Sequence, residues 1–368
     1  MKKISFLAIL AIALAGCTGA PTDGDGTFKV GVISPLSGGA AQYGLEQQRV
    51  FDYTLDQINA GGGYRGTDVE LVYEDGKCSG SDAVTAFQKL VDIDEVDVVT
   101  TLCSSESLAI APLTESSQVL AVSATSSNPD IEGASSFLYS LSYSDDLIGG
   151  AMLEQLKGFK SVAIISEQND YNIGLKNIFE AALGDAVVAS EMFEPTMTDF
   201  RNIIEKVSNA GVEAIVLNPF AGTTATNLIK QMAESAADFE DTQLVSHIAY
   251  LADETREGVA ELAEGMIIVD VPKMTSDDIM QFQANVEQKH GGVSNFGGFF
   301  VATTHDTLVN LVELANEVGE DSVALRDALV ADELVGFVAG GLSLGTNNFL
   351  KGVQAAVYVV TEGVAEIQ

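Results

Sequence analysis

The strongest constraint on the fold of this chain is a regular alternation of short β-rich runs with amphipathic helical stretches. The runs Phe28–Ser34 and Val69–Tyr73 each precede a helical stretch, Gly44–Asn59 and Ser81–Val91. Strands separated by helices of this length form βαβ units, whose strands lie parallel in one sheet. The pattern restarts near residue 161 and continues to residue 269. The sequence therefore predicts an α/β protein with two similar halves, each built on a doubly wound parallel sheet.

The amino terminus is typical of an exported protein. Lys2 and Lys3 precede the apolar run Ile4–Ala15, which is too short to span a bilayer and is typical of a signal peptide. The run ends in Leu-Ala-Gly-Cys at residues 14–17, which resembles the lipobox of a lipoprotein signal. This resemblance implies a signal peptide at 1–16, a lipid on Cys17 and a tether at 17–27. An ordinary signal peptide, with Cys17 there by chance, is the alternative.

Composition and motifs exclude several function classes. The chain has 53 Asp and Glu against 18 Lys and Arg, a net charge of −35, which repels nucleic-acid phosphates and anionic lipid surfaces. Neither a G-x-S-x-G elbow nor a phosphate loop ending in Gly-Lys-Ser/Thr occurs, and the three histidines are scattered. We therefore expect no enzyme, no metal site, no cofactor and no nucleic-acid partner.

Two cysteines remain if Cys17 carries lipid. Cys78 and Cys103 form an even pair in a compartment that permits disulfides. Two free buried thiols are the alternative. Without a nearby histidine, the pair is a poor metal site.

Two polar segments follow predicted strands and indicate a binding site. Residues 103–107, Cys-Ser-Ser-Glu-Ser, open a helix whose first N–H groups and hydroxyls suit a carboxylate. Residues 123–129, Ser-Ala-Thr-Ser-Ser-Asn-Pro, follow another strand. Open α/β sheets bind ligands at the carboxyl ends of their strands, where both segments lie. Simple helix capping by Ser104 and Ser127 is the alternative.

From Phe28 to Val360 the chain resembles the periplasmic solute-binding receptors of the leucine/isoleucine/valine type. Besides the two polar segments, the resemblance rests on Val-Ile-Ser-Pro-Leu-Ser-Gly at 32–38, Gln-Tyr-Gly at 42–44, Asp-Gln-Ile-Asn-Ala-Gly-Gly at 56–62 and Lys-Leu-Val at 89–91. It implies a type I periplasmic binding protein, in which two parallel-sheet lobes are joined by three hinge crossovers, and a Cys78–Cys103 disulfide. The implied crossovers lie near Tyr143–Asp146, Val269–Lys273 and Leu350–Val353.

The resemblance also implies a ligand site between the lobes. Ser104 and Ser127 would bind a ligand carboxylate, and the Thr125 carbonyl would accept from an amine. The side-chain pocket would be lined by four aromatic residues: Tyr43, Tyr171, Phe220 and Phe300. Each aromatic residue has core packing as its alternative.

The sequence departs from the family's amino-acid binders at the amine end of the site. Those binders pair the ligand ammonium with an acid from the second lobe, but residues 244–250 here read Leu-Val-Ser-His-Ile-Ala-Tyr. A buried, unpaired ammonium would be costly. Either Glu167, Asp170 or another acid replaces the missing one, or the ligand is not an ordinary α-amino acid. His247 could hydrogen-bond a different polar group.

Together these observations predict a lipid-anchored receptor on the outer face of the cytoplasmic membrane. Lobe 1 would comprise 28–144 with 271–352, and lobe 2 would comprise 145–270 with 353–368. The receptor would bind a branched-chain or other apolar amino acid and deliver it to the permease subunits of an ABC importer. The alternatives are an amide, urea-like or carboxylate cargo on the same fold, a ligand sensor without transport, and, last, an enzyme with an unrecognised site.

Overall fold

Two separate β-sheets carry the fold, and the chain crosses between them three times. The computed structural model describes residues 26–251, 253–292, 297–331 and 333–368. The predicted signal segment 1–16 and Cys17 lie outside the described residues, as does most of the tether.

The first sheet has five strands, all parallel, in the order β2-β1-β3-β4-β5. Its strands are β1 Lys29–Ser34, β2 Glu70–Asp75, β3 Val98–Thr101, β4 Ala121–Ser123 and β5 Leu138–Ser140. Its helices are α1 Ala41–Ala60, α2 Gly80–Asp92 and α3 Ser104–Ser117, joined later by α10 Asp277–His290, α11 Gly297–Val318 and α12 Ser322–Ala331. The order reverses direction between β1 and β3, and this reversal opens a crevice at the carboxyl ends of the strands.

The second sheet has seven strands in the order β12-β11-β10-β9-β8-β6-β7. Its strands are β6 Val162–Glu167, β7 Val187–Phe193, β8 Ala214–Asn218, β9 Gln243–Ser246, β10 Ile267–Asp270, β11 Ala356–Thr361 and β12 Val364–Ile367. Its helices are α4 Asp145–Gln155, α5 Asp170–Leu183, α6 Arg201–Ala210, α7 Thr223–Ala233, α8 Asp253–Arg256 and α9 Ala260–Ala263. Strands β6 to β10 pair in parallel, whereas β11 runs antiparallel to β10 and β12. The β11–β12 hairpin turns at Glu362 and Gly363, both at positive φ (51° and 82°), as a two-residue hairpin turn of this kind requires.

Each sheet has an apolar core on both faces, as expected for strands covered by helices on either side. In β1, Val30 faces one core and Ile33 faces the other. In β6, Ile165 and Ile164 divide between two cores in the same way. The alternation explains why these strands read as continuous apolar runs in the sequence.

The three crossings lie at 141–144, 271–276 and 351–355. Leu350 N donates to Ser142 O at 3.0 Å, so the third crossing begins beside the first. The Tyr358 hydroxyl donates to Val271 O at 3.1 Å and accepts from Lys273 N at 2.8 Å, which ties the second crossing to β11. The predicted architecture, two α/β sheets joined by three crossovers, is confirmed.

The search for membrane-spanning segments covered the described residues alone. Within them, no helix is both long enough and apolar enough to cross a bilayer.

Candidate functional site

A cavity of about 290 Å³ lies between the two sheets, at the carboxyl ends of their strands. The first sheet contributes residues that follow β3 and β4, including Ser104 and Ser127. The second sheet contributes Glu167 and Asp270, the last residues of β6 and β10. The volume is near the lower end of the range for small-molecule pockets. The cavity is therefore matched to a compact ligand.

The start of α3 is held rigidly at the cavity wall. Cys103 caps the helix, and the Glu106 carboxylate accepts from Leu102 N at 3.2 Å and from Cys103 N at 2.9 Å. The other carboxylate oxygen accepts from Cys78 N at 3.1 Å. Burial raises the pKa of Glu106 to about 7, although these three N–H groups lower it. The capping fixes where the first turn of α3 presents its N–H groups.

A disulfide joins Cys78 to Cys103, with the two Cα atoms 5.3 Å apart. It connects the segment before α2 to the capping residue of α3. Cys78, Cys103 and Glu106 are also the one group in the described part of the chain close enough together to hold a metal ion. Disulfide sulfurs are not thiolates, and the thiolate is the form that binds metals. The group is therefore structural.

Ser104 and Ser127 form a polar corner of the cavity. Ser104 Oγ accepts from the backbone N–H groups of Ser127 and Asn128, each at 3.3 Å. The side chain of Thr125 donates to Leu102 O at 2.8 Å, which holds the segment after β4 against the segment after β3. Since the first N–H groups of a helix have no acceptor within the helix, this corner suits an anion.

An aromatic wall faces this polar corner. The Tyr43 ring, on α1, lies 4.7 Å from that of Phe220, which follows β8 of the other sheet. Tyr171 meets Phe220 edge-on at 6.1 Å, and Phe300 lies 6.1 Å from Tyr43. The rings come from both sheets, so they surround the apolar part of a ligand bound between them.

The cavity wall includes seven of the eight predicted ligand-binding residues: Tyr43, Ser104, Thr125, Ser127, Tyr171, Phe220 and Phe300. The eighth, His247, lies behind the wall and is 1% exposed. Its Nδ1 lies 3.2 Å from the Tyr171 hydroxyl and its Nε2 lies 2.9 Å from Asn218 Oδ1. Burial lowers the pKa of His247 to about 3, so the ring is neutral. His247 thus orients Tyr171 and does not reach the cavity.

The second sheet places two acids on the wall, one of them missed by the sequence reasoning. Glu167 was considered as a replacement for the absent acid near Ile248, whereas Asp270 was not. Burial raises the pKa of Glu167 and raises that of Asp270 to about 7. Asp170, the other acid considered, is not on the wall; its carbonyl accepts from Asn128 Nδ2 at 2.5 Å. The sequence did contain a signal for Asp270. It directly follows a predicted strand, and open α/β sheets bind ligands at the carboxyl ends of their strands.

A third acid lies next to the polar corner. Asp145 is fully buried at the start of α4, and its N–H donates to Ser127 O at 2.7 Å. Burial raises the pKa of its carboxyl to about 8, although the Ser127 side chain lowers it. Asp145 does not line the cavity, but it is a buried acid in direct contact with the backbone of the polar corner.

Comparison with known proteins agrees with this arrangement. The leucine-, isoleucine-, valine-, threonine- and alanine-binding protein of Pseudomonas aeruginosa is 23% identical over 360 residues, 95% of this chain and 93% of that protein. An amino acid binding protein of the same organism is 28% identical over 244 residues, 63% of this chain; the match spans 64% of that relative's length. A solute binding protein of an ABC transporter from Rhodopseudomonas palustris, solved with 3,4-dihydroxybenzoic acid, is similar in structure. Its TM-score is 0.77 at 19% identity, over 93% of this chain and 96% of that chain.

The family model described as periplasmic binding protein matches residues 27–360, nearly the whole of the described chain. Proteins of this family bind solutes and are not enzymes, which agrees with the expectation drawn from the absence of catalytic motifs. The chain belongs to the periplasmic binding protein family.

Proposed function

We propose that this protein is the extracytoplasmic receptor of an ABC importer and binds an amino acid with an apolar side chain. One observation carries the proposal. The polar corner at Ser104 and Ser127, which suits a carboxylate, and a wall of aromatic rings line the same small cavity. Leucine, isoleucine, valine and alanine, which are named with threonine in one relative's description, have the same two parts, a carboxylate and an apolar side chain.

The two sheets form two lobes that close on the ligand. Lobe 1 comprises 28–144 with 271–352, and lobe 2 comprises 145–270 with 353–368. Contacts across this boundary support closure: Asn128 Nδ2 donates to Asp170 O, and the ring centres of Tyr43 and Phe220 lie 4.7 Å apart. A ligand held by Ser104 gains contacts with Tyr171 and Phe220 only when the lobes are together. It therefore shifts the population toward the closed state.

The closed receptor delivers its cargo to permease subunits in the cytoplasmic membrane. A lipid on Cys17 would hold the receptor near them, with residues 17–27 as the tether. Three narrow crossings allow the lobes to open and close, while hydrogen bonds at Ser142 and Tyr358 keep their ends in place.

Thermal unfolding of residues 27–368 against a ligand panel tests the proposal. The panel contains leucine, isoleucine, valine, alanine, phenylalanine, glutamate, acetamide, urea, benzoate and 4-methylpentanoate. The protein is first stripped of co-purified ligand by unfolding and refolding. A ligand at 100 times its Kd adds about 2.7 kcal/mol to the free energy of unfolding. We expect the melting temperature to rise most with leucine, isoleucine or valine. If none of the amino acids in the panel raises it, the proposal is contradicted.

An aromatic or aliphatic carboxylate is the second candidate cargo. Two observations favour it: the Rhodopseudomonas palustris protein was solved with a dihydroxybenzoic acid, and this chain lacks an acid near Ile248. The same panel separates the candidates, because benzoate and 4-methylpentanoate carry the carboxylate without an amine.

A further inference from the structure

The two acids on the cavity wall, Glu167 and Asp270, come from the second sheet, whereas the polar corner that suits a carboxylate comes from the first. Each ends a strand of the second sheet, and each is nearly buried, at 4% and 3% exposed. Within the described ranges, no ion pair joins either carboxylate to a Lys, Arg or His. The second-sheet side of the cavity therefore carries acidic groups without a matching cation from the described chain.

The two acids differ in how far their oxygens are already used. Glu167 Oε2 accepts from Phe220 N at 2.9 Å and from Thr224 Oγ1 at 2.7 Å, and Oε1 lies 3.4 Å from Asn169 Nδ2. These bonds turn Glu167 toward its own lobe. Asp270 makes fewer hydrogen bonds. Its Oδ1 lies 3.4 Å from the Tyr143 hydroxyl, and its carboxylate also accepts from the backbone of Val271. Since a carboxylate has about four acceptor positions, Asp270 retains capacity for another donor.

The lysines on the wall do not supply that donor. Lys77 pairs with Asp82 at 2.9 Å on the surface. Lys273 Nζ lies 5.8 Å from the centre of the Tyr358 ring. A buried carboxylate without a counter-charge is costly, and burial alone already raises the pKa of Asp270. A ligand that brings a cation to Asp270 removes that cost.

We propose that Asp270 is the partner of a ligand ammonium group, and that the cargo is therefore a zwitterion rather than a simple carboxylate. The proposal rests on the proposed function, since it places the carboxylate of the same ligand at Ser104 and Ser127. Asp270 replaces the acid that this chain lacks near Ile248, from a different strand of the same sheet. The rings of Tyr143 and Tyr171 lie near Asp270 and are neutral, because burial raises their pKa values well above the usual range.

Calorimetric titration of two ligands against matched variants tests the proposal. The ligands are leucine and 4-methylpentanoate, which differ only in the amine; the proteins are the wild type, Asp270→Asn and Glu167→Gln. We expect Asp270→Asn to weaken leucine binding by at least about 30-fold, the lower end of what losing one partner of a buried charge pair costs. The affinity for 4-methylpentanoate should stay within about threefold or improve. Glu167→Gln should weaken leucine less than Asp270→Asn does.

The outcomes separate failure of this proposal from failure of the proposed function. Equal weakening of both ligands by Asp270→Asn, or unchanged leucine binding, would overturn the role of Asp270 while the receptor function stands. A wild-type protein that prefers 4-methylpentanoate or benzoate to leucine would overturn the zwitterion cargo and the amino-acid part of the proposed function, while the role as a solute receptor stands. If no panel ligand binds the wild type, the proposed function fails, and this inference fails with it. Asp270→Glu keeps the charge and should keep the preference for leucine, so it tests the proposal even where Asp270→Asn does not fold.

Discussion

At the scale of single residues, the proposed recognition depends on two groups in one cavity that come from different sheets. Ser104 offers a hydroxyl at the start of α3, where the helix dipole favours a negative group. Asp270 offers a carboxylate at the end of β10. The carboxylate and the ammonium of an α-amino acid are bonded to the same carbon, so each residue tests a different charged group of the ligand.

Ser104→Ala removes the hydroxyl from the polar corner. We expect leucine to bind about 10- to 100-fold more weakly, because a hydrogen bond to a charged group contributes roughly 1.5–3 kcal/mol. Calorimetric titration measures the loss. Ser117→Ala, at the exposed end of the same helix, is the matched control and should bind leucine as the wild type does. Equal affinities for the two variants would place the carboxylate elsewhere.

Leucine affinity should fall as the pH drops below about 7. Burial raises the pKa of Asp270 to about 7, and an ammonium beside it lowers that pKa in the complex. The complex then holds fewer protons than the free protein, so acid favours the free form, with a limiting slope of about tenfold per pH unit. Titrations between pH 8 and pH 5.5 measure the slope.

Asp270→Asn is the control for this pH dependence and should flatten it. The groups near Asp270 on neighbouring elements are Tyr43, Tyr143, Tyr171, Tyr358, Lys273 and Glu167. Burial also raises the pKa of Glu167, that of Glu106 to about 7 and that of Asp145 to about 8. A slope that persists in Asp270→Asn would assign the pH dependence to one of these three acids instead.

At the scale of elements, the start of α3 is the part of the site that most depends on local structure. The Cys78–Cys103 disulfide and the Glu106 carboxylate both hold the residues before it. The sequence predicted this segment well, because a polar run directly after a strand and before a helix has few other structures available.

Replacing both cysteines, Cys78→Ser with Cys103→Ser, should lower the free energy of unfolding by about 2–4 kcal/mol. The unfolded chain gains freedom when a loop with a sequence separation of 25 is opened. Leucine should also bind more weakly, since the capping residue of α3 loses its anchor. Urea unfolding and calorimetric titration measure the two effects. An unchanged affinity would show that Glu106 alone fixes the helix start.

Elements with weak local signals were not predicted from the sequence. Strand β5 has only three residues, Leu138–Ser140, too few for a periodic pattern. Helix α4 contains Gly149 and Gly150, which lower helix propensity, and it forms because Ile148 and Met152 are buried in the second lobe's core. Asp270 was missed for a related reason. The order of strands in the sheet decides which strand ends reach the cavity, and that order cannot be read from the sequence around Asp270.

At the scale of the whole molecule, the proposed binding requires the two sheets to come together around the ligand. Helix α5 of the second sheet meets the segment after β4 of the first at one close point. A Cβ at Gly174 would lie 2.8 Å from Asn128 Nδ2. The glycine therefore permits the closed arrangement without touching the ligand.

Gly174→Ala should weaken leucine binding about fivefold, since crowding this contact costs roughly 1 kcal/mol in the closed state. Stability without ligand should not fall, because Ala favours a helix over Gly. Gly150→Ala in α4 is the matched control, since a Cβ there meets nothing within 4 Å. Equal affinities of the two variants would contradict the role of closure.

A crystal structure of the protein with its best-binding amino acid tests the central claim most directly. The account predicts a ligand in the cavity between the sheets, with its carboxylate hydrogen-bonded to Ser104 and Ser127 and its ammonium to Asp270. The aliphatic side chain should lie against Tyr43 and Phe220. A ligand outside this cavity, or one whose ammonium has no contact with Asp270, would contradict the account.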